Sequence, residues 1–213
     1  MKDPFQDITE TGKTKLLNLL GSHIYSYNKD QKVLDKIKNE NIICIMLDGD
    51  ANIIHIDYDG NNNLVENLTK NTVFGTNISS IDNEEYEIIS TSNSKILVID
   101  YDQLLKNEYT KYNYYNVFLN NLFDIVASKL KEKNDRIRIL TQKTIRDKFL
   151  EYFEIEYKKN HSKFIYLPGS FKDLADYFSV NRSALFRELR SLKDENFIEV
   201  DGKKIILLYN PLL

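Results

Sequence analysis

Apolar residues recur with two different periods along the 213-residue chain. In the first half, short apolar runs alternate with polar residues and end at turn residues, with Asp-Gly pairs at 48–49 and 59–60. Such runs predict β-strands, and Asp-Gly pairs are typical of hairpin turns. A short helix, with its apolar side at 16–20, precedes them. We therefore predict an antiparallel β-roll over residues 1–108.

From about Tyr101 to Asn134, Gly and Pro are absent, and a helical period replaces this pattern. Phe118, Leu122 and Ile125 lie along one line of the helix, and Val126 lies on a neighbouring line. A helix of roughly 30 residues spans about 45 Å, which is longer than a small domain needs for its own core. We therefore predict a dimerisation helix over 109–135, with these four side chains in the interface. The alternative is a helix that merely covers the β-roll.

The C-terminal part, 136–213, begins with a second predicted helix and continues with local signals that agree with one another. Ser170 and Asp173 have the spacing of a capping box, which starts a helix, and Asn181 is a good N-cap for the next one. An Asp-Gly pair at 201–202 then predicts a hairpin. Two helices joined by a short turn and followed by a hairpin predict a winged helix-turn-helix.

The second helix of this motif has two predicted faces. Leu185, Leu189 and Leu192 are spaced by four and three residues and form the buried face. The side chains predicted to project outward are Arg182, Ser183, Phe186 and Arg187. In the major groove an Arg donates two hydrogen bonds to guanine, and a Phe contacts a thymine methyl. The residues predicted to contact the phosphate backbone are Ser170, Asn181, Lys203 and Lys204.

Charge and cysteine content narrow the function classes. Residues 1–108 carry 10 Lys/Arg and 18 Asp/Glu, whereas 109–160 and 161–213 have net charges of +4 and +1. A basic excess in the second half fits a polyanionic partner, although solvated helix faces carry such charges too. Cys44 is the only cysteine, which excludes an intrachain disulfide and a thiolate metal cage. Its apolar neighbours predict a buried core thiol.

Membrane and metal-dependent functions find little support in the sequence. No run approaches the roughly 18 apolar residues of a membrane span, and no signal-peptide core is present, so we expect a soluble, cytoplasmic protein without a membrane partner. His23, His55 and His161 lie far apart. Cupin-like β-barrel enzymes, the alternative from a different class, bind their metal through closely spaced His and Glu ligands. We therefore expect no catalytic residues, no metal and no cofactor.

The elements together resemble the Crp/Fnr family of bacterial transcription regulators. The resemblance rests on a β-roll ending in VFG, a long helix, and the C-terminal stretch LADYFSVNRSALFRELRSLKDENFIEVDGKKIIL. It covers nearly the whole chain and is strongest in that last stretch. It implies a homodimer that is joined through the long helix, binds a two-fold symmetric operator in double-stranded DNA and contacts RNA polymerase. It also implies a small effector in the β-roll.

The effector site departs from the family pattern. Cyclic-nucleotide members follow the Phe-Gly corner with a Glu and later carry an Arg-Ser or Arg-Thr pair. Here Thr76 stands in place of that Glu, after Phe74 and Gly75. Glu84 and Glu85 stand about where the Arg-Ser or Arg-Thr pair would lie. Carboxylates at that position repel a phosphate. We therefore expect an unknown, non-cyclic-nucleotide effector at these five residues, or none.

Other effectors known in the family are also disfavoured. Iron–sulfur members need several cysteines, which this chain lacks. Haem would require ligands from His23, His55 or Cys44, which are scattered single residues. A cyclic-nucleotide-responsive or haem-dependent regulator is thus the alternative within the family.

The recognition helix departs from the family as well. Ser183 stands where the family often has Glu, and Phe186 replaces a small residue, so we expect an unusual half-site in which Arg187 still requires a G·C pair. Ser179 replaces the usual turn Gly, which costs little if its φ is negative. Glu188 occupies a position that is commonly apolar, without a reason visible in the sequence.

Overall fold

A computed structural model of the chain describes residues 2–35, 41–60, 62–76, 78–79 and 85–211. Contacts divide the chain into two compact units, Met1–Ser128 and Lys129–Leu213. Each unit has its own hydrophobic core residues. Within the described ranges, no helix is both long and apolar enough to cross a membrane.

The N-terminal unit is mainly antiparallel β-structure, as the alternating pattern of the first half predicts. Its elements are α1 (Glu10–Leu19), β1 (His23–Tyr27), β2 (Ile42–Asp48), β3 (Ala51–Ile56), β4 (Asn62–Leu68), β5 (Val73–Gly75), β6 (Tyr86–Ser90), β7 (Ser94–Asp100), α2 (Tyr101–Leu104), a 3-10 helix (Asn107–Lys111) and the first part of α3 (Asn113–Leu140). The strands form two antiparallel sheets, with the orders β1-β7-β2-β5 and β4-β3-β6.

Strand β2 is apolar without interruption because both of its faces are buried. Cys44 and Met46 face the second sheet and share a core with Ile53 of β3. Ile43 and Ile45, on the opposite face, share a second core with the helices. Since successive side chains of a strand point to opposite faces, a central strand between two layers requires the run that the sequence shows from 42 to 46.

The long helix α3 closes the second core of the N-terminal unit. Phe118 and Ile125 are buried there beside Leu16 of α1, and Phe118 stacks on Phe5 with ring centroids 5.3 Å apart. The Nδ2 of Asn121 donates to the carbonyls at positions 4 and 6, which ties the N-terminal segment to the helix. One side of α3 therefore packs against its own chain.

The end of α3 differs from the sequence prediction, which placed it near residue 135. The helix continues to Leu140, and α4 (Ile145–Asn160) begins after a short turn. At the predicted break, the buried side chain of Asp135 lies 3.3 Å from the Nζ of Lys159. Thr144 sets the new start because its hydroxyl accepts a hydrogen bond from the Asp147 backbone N–H at 3.0 Å.

The C-terminal unit combines helices with a small sheet. After the last part of α3 it contains α4, β8 (Phe164–Tyr166), α5 (Phe171–Phe178), α6 (Arg182–Asp194), β9 (Ile198–Asp201) and β10 (Lys204–Leu207). The strands form an antiparallel sheet in the order β8-β10-β9. Its core is rich in aromatic rings, with Phe149, Phe153 and Phe178 fully buried.

A buried lysine joins three helices of this unit. The Nζ of Lys148 on α4 donates to the carbonyl of Leu140 at the end of α3 and to that of Phe178 at the end of α5, both at 3.1 Å. Helix C-termini leave carbonyls without intrahelical partners and carry partial negative charge, so a cation is favourable at both. Lys148 therefore fixes the end of α5, where the turn toward α6 begins.

Candidate nucleic-acid interface

Helix α5 starts with the capping box that the sequence predicts. The Asp173 backbone N–H donates to the Ser170 hydroxyl at 3.3 Å, and the Ser170 backbone N–H donates to the Asp173 carboxylate at 2.6 Å. The Ser170 hydroxyl also donates to that carboxylate at 2.8 Å. These hydrogen bonds from Ser170 lower the pKa of Asp173. The hydroxyl proton of Ser170 is thus engaged within its own cap.

The turn between α5 and α6 contains a residue with positive φ. Ser179 has φ +52° and ψ +49°, the left-handed region, so the condition of a negative φ, under which Ser in place of Gly costs little, is not met. The Val180 backbone N–H donates to the Ala175 carbonyl at 3.0 Å, and the Val180 side chain packs against the core. A helix that ends in this way usually has Gly at the left-handed position.

Helix α6 begins at the predicted N-cap. The side-chain oxygen of Asn181 accepts from the backbone N–H of Ser183 at 2.9 Å and from its hydroxyl at 2.7 Å. Both side chains are exposed, and each already satisfies the other. Toward a ligand, Asn181 can still donate its amide N–H groups, and the Ser183 hydroxyl can still accept hydrogen bonds through its lone pairs.

The two faces of α6 match the predicted pattern of buried and exposed residues. Leu185, Leu189 and Leu192 are buried in the core of the C-terminal unit. The exposed side chains along the opposite face are Arg182, Ser183, Phe186, Arg187 and Arg190. Arg187 and Arg190 form no ion pair with any residue that the structure describes. The outer face of α6 therefore presents guanidinium groups whose charge no described residue neutralises.

Glu188, which had no explanation in the sequence, lies between these faces and binds Arg146 of α4. The Nε of Arg146 donates to the Glu188 carboxylate at 2.8 Å, and the same guanidinium contacts the Glu195 carboxylate through both terminal nitrogens. Hydrogen bonds to Glu195 and Glu188 raise the pKa of Arg146, and the Arg146 guanidinium lowers the pKa of Glu195. Glu188 thus joins α4 to α6, over 42 residues of sequence.

The two lysines of the hairpin differ in their surroundings. Lys203, in the turn between β9 and β10, is exposed, and its positive charge contributes to lowering the pKa of Asp173. It is therefore near the start of α5. The Nζ of Lys204 lies 4.8 Å from the ring centroid of Phe164 on β8, a cation–π contact. Lys203 has the freer ammonium group of the two.

The burial of side chains on α3 determines which of them can contact a second chain. Phe118, Leu122 and Ile125 are 0%, 6% and 4% exposed in the core of their own unit, so their assignment to the dimer interface is corrected. Of the four predicted interface residues, Val126 alone is exposed, at 36%. The other exposed large apolar side chains of α3 are Phe123 at 73%, Leu130 at 60% and Ile137 at 55%.

The corner residues of the predicted effector site pack against the strands of the first sheet. Phe74 is fully buried between the sheets. Gly75 has φ +144°, and a Cβ there would lie 2.2 Å from the Ile42 carbonyl oxygen, so Gly permits the close approach of β5 to β2. The Thr76 hydroxyl accepts from the Ile42 backbone N–H at 3.1 Å.

The other two predicted effector residues are Glu84 and Glu85. Glu84 is outside the described residues. The Glu85 carboxylate lies 3.5 Å from Nε2 of His55, whose ring packs on Tyr86 with centroids 5.0 Å apart. In the described ranges, no group of three or more His, Cys, Asp and Glu side chains has the arrangement of a metal site.

Cys44 has the environment that its neighbours predict. It is fully buried in the core between the two sheets. Burial raises the pKa of its thiol to about 12, so the thiolate form that reacts with oxidants and binds metals is disfavoured near neutral pH. Cys44 is a core residue of the N-terminal unit.

Neither a protein-family model nor a curated protein sequence matches the chain. Solved structures of Crp/Fnr-family regulators do match. CprK complexed with OCPA is 18% identical, with 92% of this chain and 90% of that chain covered and a TM-score of 0.64. A CooA mutant from Carboxydothermus hydrogenoformans is 16% identical, with 93% and 92% covered and a TM-score of 0.56.

The Catabolite Activator Protein of Thermus thermophilus is similar as well. It is 12% identical over 96% of this chain and 92% of that chain, with a TM-score of 0.51. At these identities the likeness establishes the fold. The chain therefore has, over nearly its whole length, the fold of known transcription regulators.

Proposed function

We propose that this protein is a sequence-specific DNA-binding transcription regulator of the Crp/Fnr type, which acts as a homodimer on a two-fold symmetric operator. The observation that carries the proposal is the outer face of α6. Arg187 and Arg190 are exposed there, on a helix whose opposite face is fixed in the core by three leucines. A rigid helix that presents uncompensated guanidinium groups fits the major groove of DNA.

In this proposal α5, α6 and the β9–β10 hairpin form a winged helix-turn-helix, with α6 as the recognition helix. Arg187 donates two hydrogen bonds to O6 and N7 of a guanine, and Arg182 reads a second base near the start of α6. Phe186, which is 39% exposed, contacts a thymine methyl. Ser183 contributes to base contacts only as an acceptor, because its hydroxyl proton is bound to Asn181, and it carries less of the specificity.

Phosphate contacts are assigned to groups at the edge of the motif. Lys203 supplies an exposed charge on the wing, and Lys204 reaches the backbone from its position over Phe164. Asn181 offers its amide N–H groups at the start of α6. Ser170 is the weakest member of the set because its hydroxyl proton is bound to the Asp173 carboxylate.

The proposed dimer forms along the side of α3 that its own chain leaves exposed. Phe123, Val126, Leu130 and Ile137 are spaced by three, four and seven residues, the a/d spacing of a coiled coil. The α3 helices of two copies pair along this seam, which replaces the one first predicted from Phe118, Leu122 and Ile125. Two α6 helices related by a two-fold axis then require a two-fold symmetric operator.

Regulation by a small effector is a separate part of the proposal. We propose an effector that is not a cyclic nucleotide, or no effector, because Thr76 follows the corner at Gly75 and Glu85 stands about where the family pattern has a cationic Arg. RNA polymerase is proposed as a partner by likeness of fold. The described side chains do not favour dependence on a cyclic nucleotide or on haem, and they do not favour a cupin-like enzyme. We propose a function in binding rather than catalysis.

Titration of a long mixed-sequence DNA duplex at several salt concentrations tests the DNA-binding part. We expect the logarithm of the association constant to fall linearly with the logarithm of the salt concentration. The double variant Arg187→Ala/Arg190→Ala should flatten that slope. Lys15→Ala/Lys70→Ala removes two exposed charges from the N-terminal unit and is the matched control, which should leave the slope unchanged. Equal slopes for all three proteins would contradict the assigned surface.

The dimer is tested by light scattering of Leu130→Asp. Leu130 is 60% exposed on the proposed seam, and we expect the variant to be a monomer because a buried carboxylate at a seam position is unfavourable. Leu105→Asp makes the same change at a residue that is 54% exposed and lies outside α3, so it should stay dimeric. A monomeric wild type, or a dimeric Leu130→Asp, would refute the seam.

A further inference from the structure

Three side chains on the outer side of α5 and α6 form a continuous stack. The ring of Phe186 lies 5.6 Å from the ring of Phe171, centroid to centroid, at an interplanar angle of 53°. The guanidinium carbon of Arg182 lies 5.5 Å from the centroid of Phe186. Phe171 is the first residue of α5, whereas Phe186 and Arg182 belong to α6. We call this group the Phe171–Phe186–Arg182 stack.

The position of each member follows from the two helices. Arg182 and Phe186 are four residues apart and therefore lie one above the other on the same face of α6. Phe171 is half-buried against the core of the unit, and it contacts Phe186 from the neighbouring helix. The ring of Phe186 is thus held from α5 and in turn contacts the guanidinium of Arg182.

Arg182 differs in this respect from the other arginines of α6. Arg187 and Arg190 have neither an ion pair nor an aromatic contact within the described residues, so their side chains are free to rotate in solvent. The contact with Phe186 restricts the Arg182 side chain without neutralising it, because the ring face attracts the guanidinium and carries no compensating carboxylate. An oriented arginine loses less side-chain freedom when it binds a base than a free one does.

We propose that Phe171 and Phe186 are positioning residues that hold the Arg182 guanidinium ready for bidentate hydrogen bonding to a guanine of each half-site, at a base pair other than the one that Arg187 reads. The inference rests on the proposed function and goes beyond it, because it assigns base discrimination at that position to a stack that includes a residue of α5. Phe171 contacts no DNA in this account. Its effect on specificity passes through Phe186 to Arg182.

The first experiment measures the stack in the free protein, where no DNA is needed. In proton–nitrogen NMR spectra, the Nε–H resonance of Arg182 should be shifted by the ring current of Phe186. We expect Phe186→Leu to abolish that shift, Phe171→Leu to reduce it and Phe186→Tyr to preserve it. Arg187, which has no aromatic contact among the described residues, provides the reference resonance. An Arg182 resonance that none of these variants moves would overturn the stack.

The second experiment measures base discrimination with the site that wild-type protein selects from random DNA. Arg182→Ala should lower the preference for one G·C pair about tenfold or more, at a position whose preference Arg187→Ala leaves intact. Phe186→Leu and Phe171→Leu should lower it about two- to fivefold, the range of an exposed cation–π contact. Phe186→Tyr should retain the preference. The thymine-methyl contact of Phe186 would instead change discrimination at a different base pair.

A double variant separates positioning from independent contacts. If Phe171 acts only through Arg182, adding Phe171→Leu to Arg182→Ala should cause no further loss of preference at that base pair. Multiplicative losses would overturn the inference. Thermal unfolding of each variant shows whether its fold is intact. A wild type that selects no DNA would refute the proposed function, whereas the NMR experiment would still decide whether the stack exists.

Discussion

The two sides of α6 use charged residues in opposite ways. On the side toward α4, the carboxylates of Glu188 and Glu195 bind the guanidinium of Arg146, so every charge has a partner within the chain. On the outer side, Arg187 and Arg190 have no carboxylate partner in the described part of the protein. The number of arginines therefore says little about function. Whether an arginine has a carboxylate partner within the described residues is more informative, because a paired one stabilises the fold and an unpaired one can bind a ligand.

Leu189→Ala should have the largest effect, because it removes a buried side chain that holds α6 against the core. Leu189 is buried in the core of the C-terminal unit, and we expect the free energy of unfolding to fall by about 2–5 kcal/mol. Urea denaturation measures the loss. Arg190→Ala, one residue further on the exposed side, should change the stability by less than about 0.5 kcal/mol. Similar losses for both variants would contradict the assignment of the two faces.

Arg187→Ala should affect binding and leave the fold intact. We expect the free energy of binding to the selected operator to weaken by about 1–3 kcal/mol, with relaxed preference at one G·C pair. Fluorescence anisotropy with the matched and mismatched duplexes measures both. Arg187→Lys keeps the charge and loses bidentate geometry, so it should retain non-specific binding and lose the preference. Unchanged base preference in Arg187→Ala would remove this residue from direct readout.

Ser179→Gly should stabilise the C-terminal unit modestly. A non-glycine residue in the left-handed region carries strain that Gly relieves, and the greater freedom of Gly in the unfolded chain offsets part of the gain. We expect about 0.5–1 kcal/mol of additional stability in urea denaturation, with unchanged DNA affinity. A loss of stability would mean that Ser179 does not have φ +52° in solution.

Arg146→Gln should alter the acid sensitivity of the fold, the smallest effect of the four. The folded-state pKa of Glu195 is below its ordinary value of 4.5, because Arg146 and Ser191 donate hydrogen bonds to its carboxylate. Its stabilisation is therefore complete above pH 4.5 and is lost as the pH falls through the folded-state pKa. In Arg146→Gln this acid-dependent loss should shrink. Lys143→Gln, an exposed change of the same charge, should titrate as the wild type does.

Local signals explain why α5 and α6 are predictable. The capping residues Ser170, Asp173 and Asn181 each lie within three residues of the group they bind, and the spacing of the α6 leucines shows its buried face directly. The same local logic would have found the start of α4, since Thr144 and Asp147 have capping-box spacing. The absence of Gly and Pro between α3 and α4 concealed that boundary.

Features that depend on distant residues are not predictable from one sequence. The partner of Glu188 is Arg146, 42 residues away, and no local pattern connects them. Helical periodicity identifies the apolar lines of α3, but burial by α1 and the first sheet decides that Phe118 and Ile125 face the chain itself. The sign of φ at Ser179 likewise follows from the packing of the turn and not from the residue type.

Selection of bound DNA from a random pool by purified protein, without any added ligand, tests the central claim most directly. The account predicts recovery of a two-fold symmetric site with a G·C pair in each half-site, and loss of that pair from the sites selected by Arg187→Ala. Recovery of no preferred sequence, from a protein shown to be dimeric and folded, would contradict the assignment of α6 as the recognition helix.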